Sequence, residues 1–133
     1  MDRIVLTRDH WDAMRSQVSA DAPLESCGLL AGTGEVVRQV IPVPNALQSP
    51  TRFRFDPYAQ LAAFEQIERD GLEMLAIYHS HPKGPPHPSP TDIAEAAYPV
   101  ATIIWSLQGD AWNARAFWIE NGAFDVVSLV ISK

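Results

Sequence analysis

The chain has 133 residues, 47% of them hydrophobic, a net charge of −6 and a sequence pI near 5.0. That length suits one domain over 1–133 with its own core, and that apolar content excludes a disordered chain. The acidic balance argues against broad binding to nucleic acid or an anionic membrane, and one cysteine excludes an internal disulfide or a cysteine-rich zinc module.

No stretch reaches the roughly 20 apolar residues of a membrane span, and the N-terminus lacks a signal-peptide pattern, so a cytoplasmic protein is expected. Ile4 to Leu6 reads as a short strand, followed by Thr7 as the cap of a helix over 8–19. Trp11, Met14 and Val18 fall at helical spacing, which puts Trp11 in the core rather than on a substrate platform. Asp21-Ala22-Pro23 breaks the helix. Leu24 to Gly32 reads as an interior strand carrying Glu25 and Cys27, and Gly32-Thr33-Gly34 turns it into a returning strand, Val36 to Ile41, ended by Pro42 and Pro44. From Asn45 to Thr51 the chain is polar and aperiodic, as a surface loop would be. Asp56 caps a second helix, about 57–70, with Tyr58, Leu61, Phe64 and Ile67 at three-residue steps and Gly71 closing it.

Leu72 to Tyr78 reads as a buried strand running into His79-Ser80-His81-Pro82. On a strand, residues two apart face the same way, so His79 and His81 point to one side with Cα atoms about 6–7 Å apart. Pro82 should end the strand. The prolines that follow restrict the loop up to Ser89. There Ser89 as N-cap, Pro90 at the first helical position and Asp92 at the third open a helix that runs to Tyr98. Such a helix start needs no metal. Asp92 together with His79 and His81 nevertheless makes three protein ligands, the number typical of a catalytic zinc site with a fourth position for water. His87, set among prolines, is expected to face solvent.

Glu25 alone would read as an exposed strand end. Beside a hydrolytic metal site that balance changes, because such a site needs a general base and His79, His81 and Asp92 leave the role unfilled. Cys27 shares its strand face by alternation; an auxiliary role at the metal stays open, with a small buried hydrophobe favoured. Beyond the motif, 100–107, 112–120 and 124–131 read as strands, with turns at 108–110 and at Asn121-Gly122. Helices interleave with strands and hairpins lie at both ends, so a mixed curved sheet flanked by helices, an α/β architecture, is expected.

The pattern H-x-H-P, five residues, then P-S-x-x-D runs from His79 to Asp92, with Glu25-Ser26-Cys27-Gly28 upstream. With Pro44-Asn45 and Arg52-Phe53-Arg54-Phe55-Asp56-Pro57, it resembles the JAMM (MPN-plus) metalloprotease family in its small prokaryotic form. The resemblance implies a cytidine-deaminase-like fold and one Zn²⁺ on His79, His81 and Asp92. It implies Glu25 as the base that deprotonates the attacking water and passes the proton to the leaving amine, and Ser89 as a donor to the developing oxyanion. The implied substrate is a ubiquitin-like or sulfur-carrier protein, cleaved after the glycines of its Gly-Gly tail. Two other readings stand beside it: a non-catalytic MPN-type scaffold, and a deaminase-type hydrolase of small molecules, which the absence of a P-C-x-x-C pair disfavours. Monomer and homodimer are both left open, and a His₂Asp set also accepts other divalent ions.

Overall fold

Strands and helices follow one another as β1 (Arg3–Thr7), α1 (Arg8–Asp21), β2 (Cys27–Thr33), β3 (Val36–Val43), α2 (Pro57–Arg69), β4 (Glu73–His81), α3 (Pro90–Ala94), β5 (Ala101–Gln108), β6 (Ala111–Glu120) and β7 (Ala123–Ser132). The structure is a computed structural model and describes residues 1–132. The caps expected from sequence are present. Thr7 accepts from His10 N in a capping box, Asp56 accepts from Ala59 N, and Ser89 with Asp92 forms a second capping box.

The strands form one mixed sheet in the order β1-β3-β2-β4-β5-β6-β7, and β1 pairs in parallel with β7, so the sheet closes into a barrel. A mixed curved sheet flanked by helices was expected; the sheet is mixed, and it closes. Closure depends on β1 reaching both ends: it pairs with β7 over five residues and with β3 at Val5↔Val36. Accumulated strand twist brings those ends together. No helix is long and apolar enough to cross a membrane, among the described residues.

Alternation along β2 divides the interior in two. Leu30 faces the cluster with Met14 and Val18 of α1, Tyr78 and Trp105, whereas Cys27, Leu29 and Ala31 face Ala63 and Ile67 of α2. Trp11 packs on the first cluster with its ring centroid 4.6 Å from that of Trp105, as its spacing implied. Gly28 lies opposite Tyr78, and a Cβ there would come within 2.3 Å of the Tyr78 ring. Only glycine lets β2 and β4 approach this closely, and that approach sets the height of His79 against Cys27.

Two boundaries differ from expectation. β3 continues through Pro42 to Val43, because near Pro42 the strand's outer edge has no partner and proline is tolerated on such an edge. α3 stops at Ala94 instead of running to Tyr98. Tyr98 is drawn across to α2, where its Oη accepts from Gln60 and its ring stands edge-on to Phe64. Pro99 adds to this, since the residue before a proline disfavours the helical region.

Candidate metal centre

β4 delivers both histidines to one place. His79 and His81 lie two apart at its end, 1% and 4% exposed, with ring centroids 5.0 Å apart, and Pro82 terminates the strand. The proline-rich loop then folds back over His81. Gly84 packs against the ring, where a Cβ would meet His81 Cβ at 2.9 Å, and the Pro85 carbonyl lies 2.8 Å from His81 Nδ1. That carbonyl is placed to accept an Nδ1 proton, which leaves Nε2 directed at the site.

Asp92 meets both imidazoles from the start of α3. Its Oδ2 lies 3.0 Å from His81 Nε2 and its Oδ1 3.6 Å from His79 Nε2. Oδ2 also accepts from Ser89 N at 2.9 Å, which leaves Oδ1 as the uncommitted oxygen. Burial opposes the charge on Asp92, but the hydrogen bond from His81, the neighbouring imidazoles and Ser89 N outweigh it and hold the carboxyl down at about 2. Burial likewise disfavours protonated His81, yet the bonds to Asp92 and Pro85 and the charges of Asp92 and Glu25 raise its pKa.

Glu25 enters from the other side. It lies just before β2, not within it, and is 4% exposed. The residue is therefore no exposed strand end. Its Oε1 faces His79 Nδ1 at 3.5 Å, and both of these buried atoms lack a hydrogen-bond partner. Ligand atoms of Glu25, His79 and His81 all fall within 4.8 Å of one another.

Three observations test whether these residues suit a cation. Two unpaired buried polar atoms face each other, His81 Nε2 lies against a carboxylate oxygen, and the second oxygen of that carboxylate is uncommitted. Electron-rich atoms crowded this way in a desolvated pocket need a proton or a cation between them. The set is compatible with a metal ion, and its imidazole and carboxylate donors suit zinc among others.

Buried hydrogen bonds lock the arrangement. Ser80, between the histidines and fully buried, accepts from Ser26 N at 2.8 Å and donates its own N–H to Ser26 O at 3.0 Å. Ser26 in turn donates its hydroxyl to Asp21 at 2.7 Å. The Phe53 ring stacks on His79, with centroids 4.4 Å apart. Beside the histidine runs a cavity of about 280 Å³ lined by Arg52, Phe53, Phe55, Ile77, Asp92 and Tyr98, among others. Arg52 and Glu95 form an ion pair between two of its lining segments at 2.7 Å.

A family model described as prokaryotic homologs of the JAB domain matches residues 7–120, which include every residue of this centre. The chain belongs to the prokaryotic JAB family. This JAB domain is 48% identical over 118 residues to a probable TtuB-protein conjugate cleaving protease of Thermus thermophilus, covering 88% of this chain and 75% of that one. It is 36% identical over 124 residues to the CysO-cysteine peptidase of Mycobacterium tuberculosis, covering 90% and 85%. A solution structure of a Desulfitobacterium hafniense protein superposes with a TM-score of 0.88 at 32% identity, over 98% of this chain and 93% of that one.

Glu25, His79, His81 and Asp92, singled out in the sequence, thus converge in the JAB domain's pocket. Ser89 lies against Asp92, where its hydroxyl oxygen accepts from Asp92 N at 3.1 Å and its O–H donates to no protein group among the described residues. Cys27 shares the sheet face of its register partner His79, but its thiol is taken up by a bond to Val43 O, and burial with the charges of Glu25 and Asp21 pushes its pKa up to about 12. It behaves as a small buried hydrophobe. His87 is exposed and lies parallel to the Phe124 ring. Sequence reasoning missed Ser26, Ser80 and Phe53 as supports. Ser80 carried a faint signal, a small polar residue between two inward histidines on an apolar strand.

Proposed function

We propose that this single domain is a zinc-dependent peptidase that cleaves conjugates of a ubiquitin-like or sulfur-carrier protein after the glycines of its Gly-Gly tail. The observation that carries the reading is the convergence of Glu25, His79 and His81 in one buried group, with Asp92 touching both imidazoles. The names of its relatives, a TtuB-conjugate protease and a CysO-cysteine peptidase, supply the substrate class.

In this reading His79, His81 and Asp92 hold the ion. Bound zinc supplies Lewis acidity, lowering the pKa of an attacking water to roughly 7. Glu25 stays outside the ligand set. Its unpaired Oε1 accepts the water's proton and then returns it to the leaving amine of a lysine or cysteine. Ser89 donates its free hydroxyl proton to the oxyanion that develops on the scissile carbonyl, while its oxygen remains bonded to Asp92 N. The burial of His79, His81 and Glu25 keeps bulk water from these groups and strengthens each electrostatic contact.

The cavity beside His79 receives the extended tail. Phe53 and Phe55 provide an apolar wall, and the tie between Arg52 and Glu95 spans it. The fold is read as cytidine-deaminase-like and the location as cytoplasmic. The test is mass spectrometry of a carrier–lysine conjugate and a carrier–cysteine adduct incubated with zinc-loaded protein. Release of carrier ending in Gly-Gly is expected from at least one. Intact conjugates alongside hydrolysed nucleosides would move the assignment to a small-molecule hydrolase.

A further inference from the structure

One side chain ties the cavity wall to the proposed base. Asn45 follows β3, where the chain leaves the sheet to form the segment 45–55. Its Nδ2 donates to Glu25 O at 3.1 Å and to Arg52 O at 3.0 Å. Its Oδ1 accepts from Leu47 N at 3.0 Å and from Arg54 N at 3.1 Å. A carboxamide has two donors and two acceptor lone pairs, so the capacity of Asn45 is filled, and every partner is backbone. Rotating the amide by half a turn would set its NH₂ against two N–H groups and its oxygen against two carbonyls. Aspartate lacks the donors, and an apolar residue lacks everything.

Around this side chain the segment closes on itself. Asn45 bridges to Phe55, Ala46 N donates to Arg54 O, and Asp56 N donates to Pro44 O. The middle of the segment grips Glu25 a second time, because Glu25 N donates to Ser49 O at 2.8 Å. Both backbone polar groups of Glu25 are therefore held by the segment whose Arg52, Phe53 and Phe55 line the cavity. No hydrogen bond fixes Glu25 Oε1, so the aim of that oxygen depends on where the backbone is held.

We propose that Asn45 is a positioning residue that couples the cavity wall to Glu25, so that a seated substrate tail and a correctly aimed base are one structural state. This rests on the peptidase reading given above. Loosening the segment then costs turnover as well as binding, since misplacement by about 1 Å can lower a rate about 100-fold.

Asn45→Asp keeps the shape of the residue but turns two donors into a carboxylate facing the carbonyls of Glu25 and Arg52. Asn45→Ala removes all four bonds without adding charge and serves if the aspartate variant does not fold. Each is compared with Val18→Ala, a core truncation on the α1 side. With a carrier conjugate as substrate, the Asn45 variants should lose about 10–100-fold in kcat and show a raised KM, with zinc content unchanged. In the metal-free state, trypsin should cut them at Arg52 or Arg54 under conditions where wild type and Val18→Ala resist. A kcat within twofold of wild type, or a fall in melting temperature matched by Val18→Ala with no kinetic change, overturns the proposal. Wild type that cleaves no conjugate would sink the peptidase reading instead, and the trypsin comparison would then judge the tie between segment and Glu25 alone.

Discussion

The histidine strand and the cavity wall that faces it are held by opposite means. His79 and His81 are fixed from beneath by the buried bond of Ser80 to Ser26, by the part-buried bond of Ser26 to Asp21, and by the fit of Gly28 against Tyr78. The wall is held from outside by half-exposed groups, the pair Arg52–Glu95 and the bond Gln60–Tyr98. Buried polar bonds are costly to break, whereas an exposed ion pair contributes at most about 1 kcal/mol. On the proposed reading, the groups that need fixed geometry sit on the stiff side, and those that would admit a polypeptide tail sit on the yielding side. Glu25 belongs to both, with its side chain in the pocket and its backbone in the grip of the wall.

The sharpest way to break this contrast is Glu25→Gln, which keeps the shape and removes the base. Turnover should fall about 10²–10⁴-fold while the zinc content stays at wild-type level. Loss of zinc would instead make Glu25 a ligand and leave the stiff side without its base. Next in size is Ser89→Ala, expected to lower kcat by about 10²–10³ if the hydroxyl serves the oxyanion, together with about 1 kcal/mol of stability from the lost cap. A lower melting temperature with unchanged turnover would reduce Ser89 to its cap.

The metal-free pocket should also show itself in the pH dependence of stability. The Asp92 pKa is lower in the folded chain than in the unfolded one, so its contribution of about 2 kcal/mol is present above its ordinary pKa and is lost as pH falls towards 2. His81 is shifted the other way. Its contribution is complete below its ordinary value near 6.5 and disappears as pH rises through the raised one. The two shifts describe one ion pair and are counted once. Thermal unfolding of zinc-free protein should therefore peak between these limits, and His81→Gln should flatten the alkaline decline. A decline that survives in that variant would place the titrating group elsewhere. The smallest effect belongs to the yielding side: Arg52→Ala should change kcat/KM for a conjugate only a few-fold, and less at high salt. A hundredfold loss would mean that Arg52 contacts the substrate and does more than tie the wall.

Much of the stiff side was legible in the sequence, because short apolar runs mark β2 and β4 as interior strands and because H-x-H on a strand can face only one way. The barrel was not. Its closure depends on parallel pairings between residues as distant as Val5 and Val130, which leave no local trace. Glu25 was recognised through the motif but drawn inside a strand, since its bonds to Ser49 and Asn45 come from a loop with no periodicity. Other contacts across space, those of Tyr98 with Gln60 and Phe64, stopped α3 at Ala94, where an alanine-rich run promised four more residues. Pro44-Asn45 entered the sequence reading only as part of the resemblance, within an otherwise aperiodic loop, and its four backbone partners are what give the side chain a task.

The central claim is that His79, His81 and Asp92 hold the ion and Glu25 does not. Elemental analysis of purified wild type, Glu25→Gln and His79→Ala/His81→Ala, each supplied with zinc, tests it most directly. The account predicts about one zinc per chain in the first two and none in the third. Zinc retained by the double histidine variant, or absent from wild type, would contradict it.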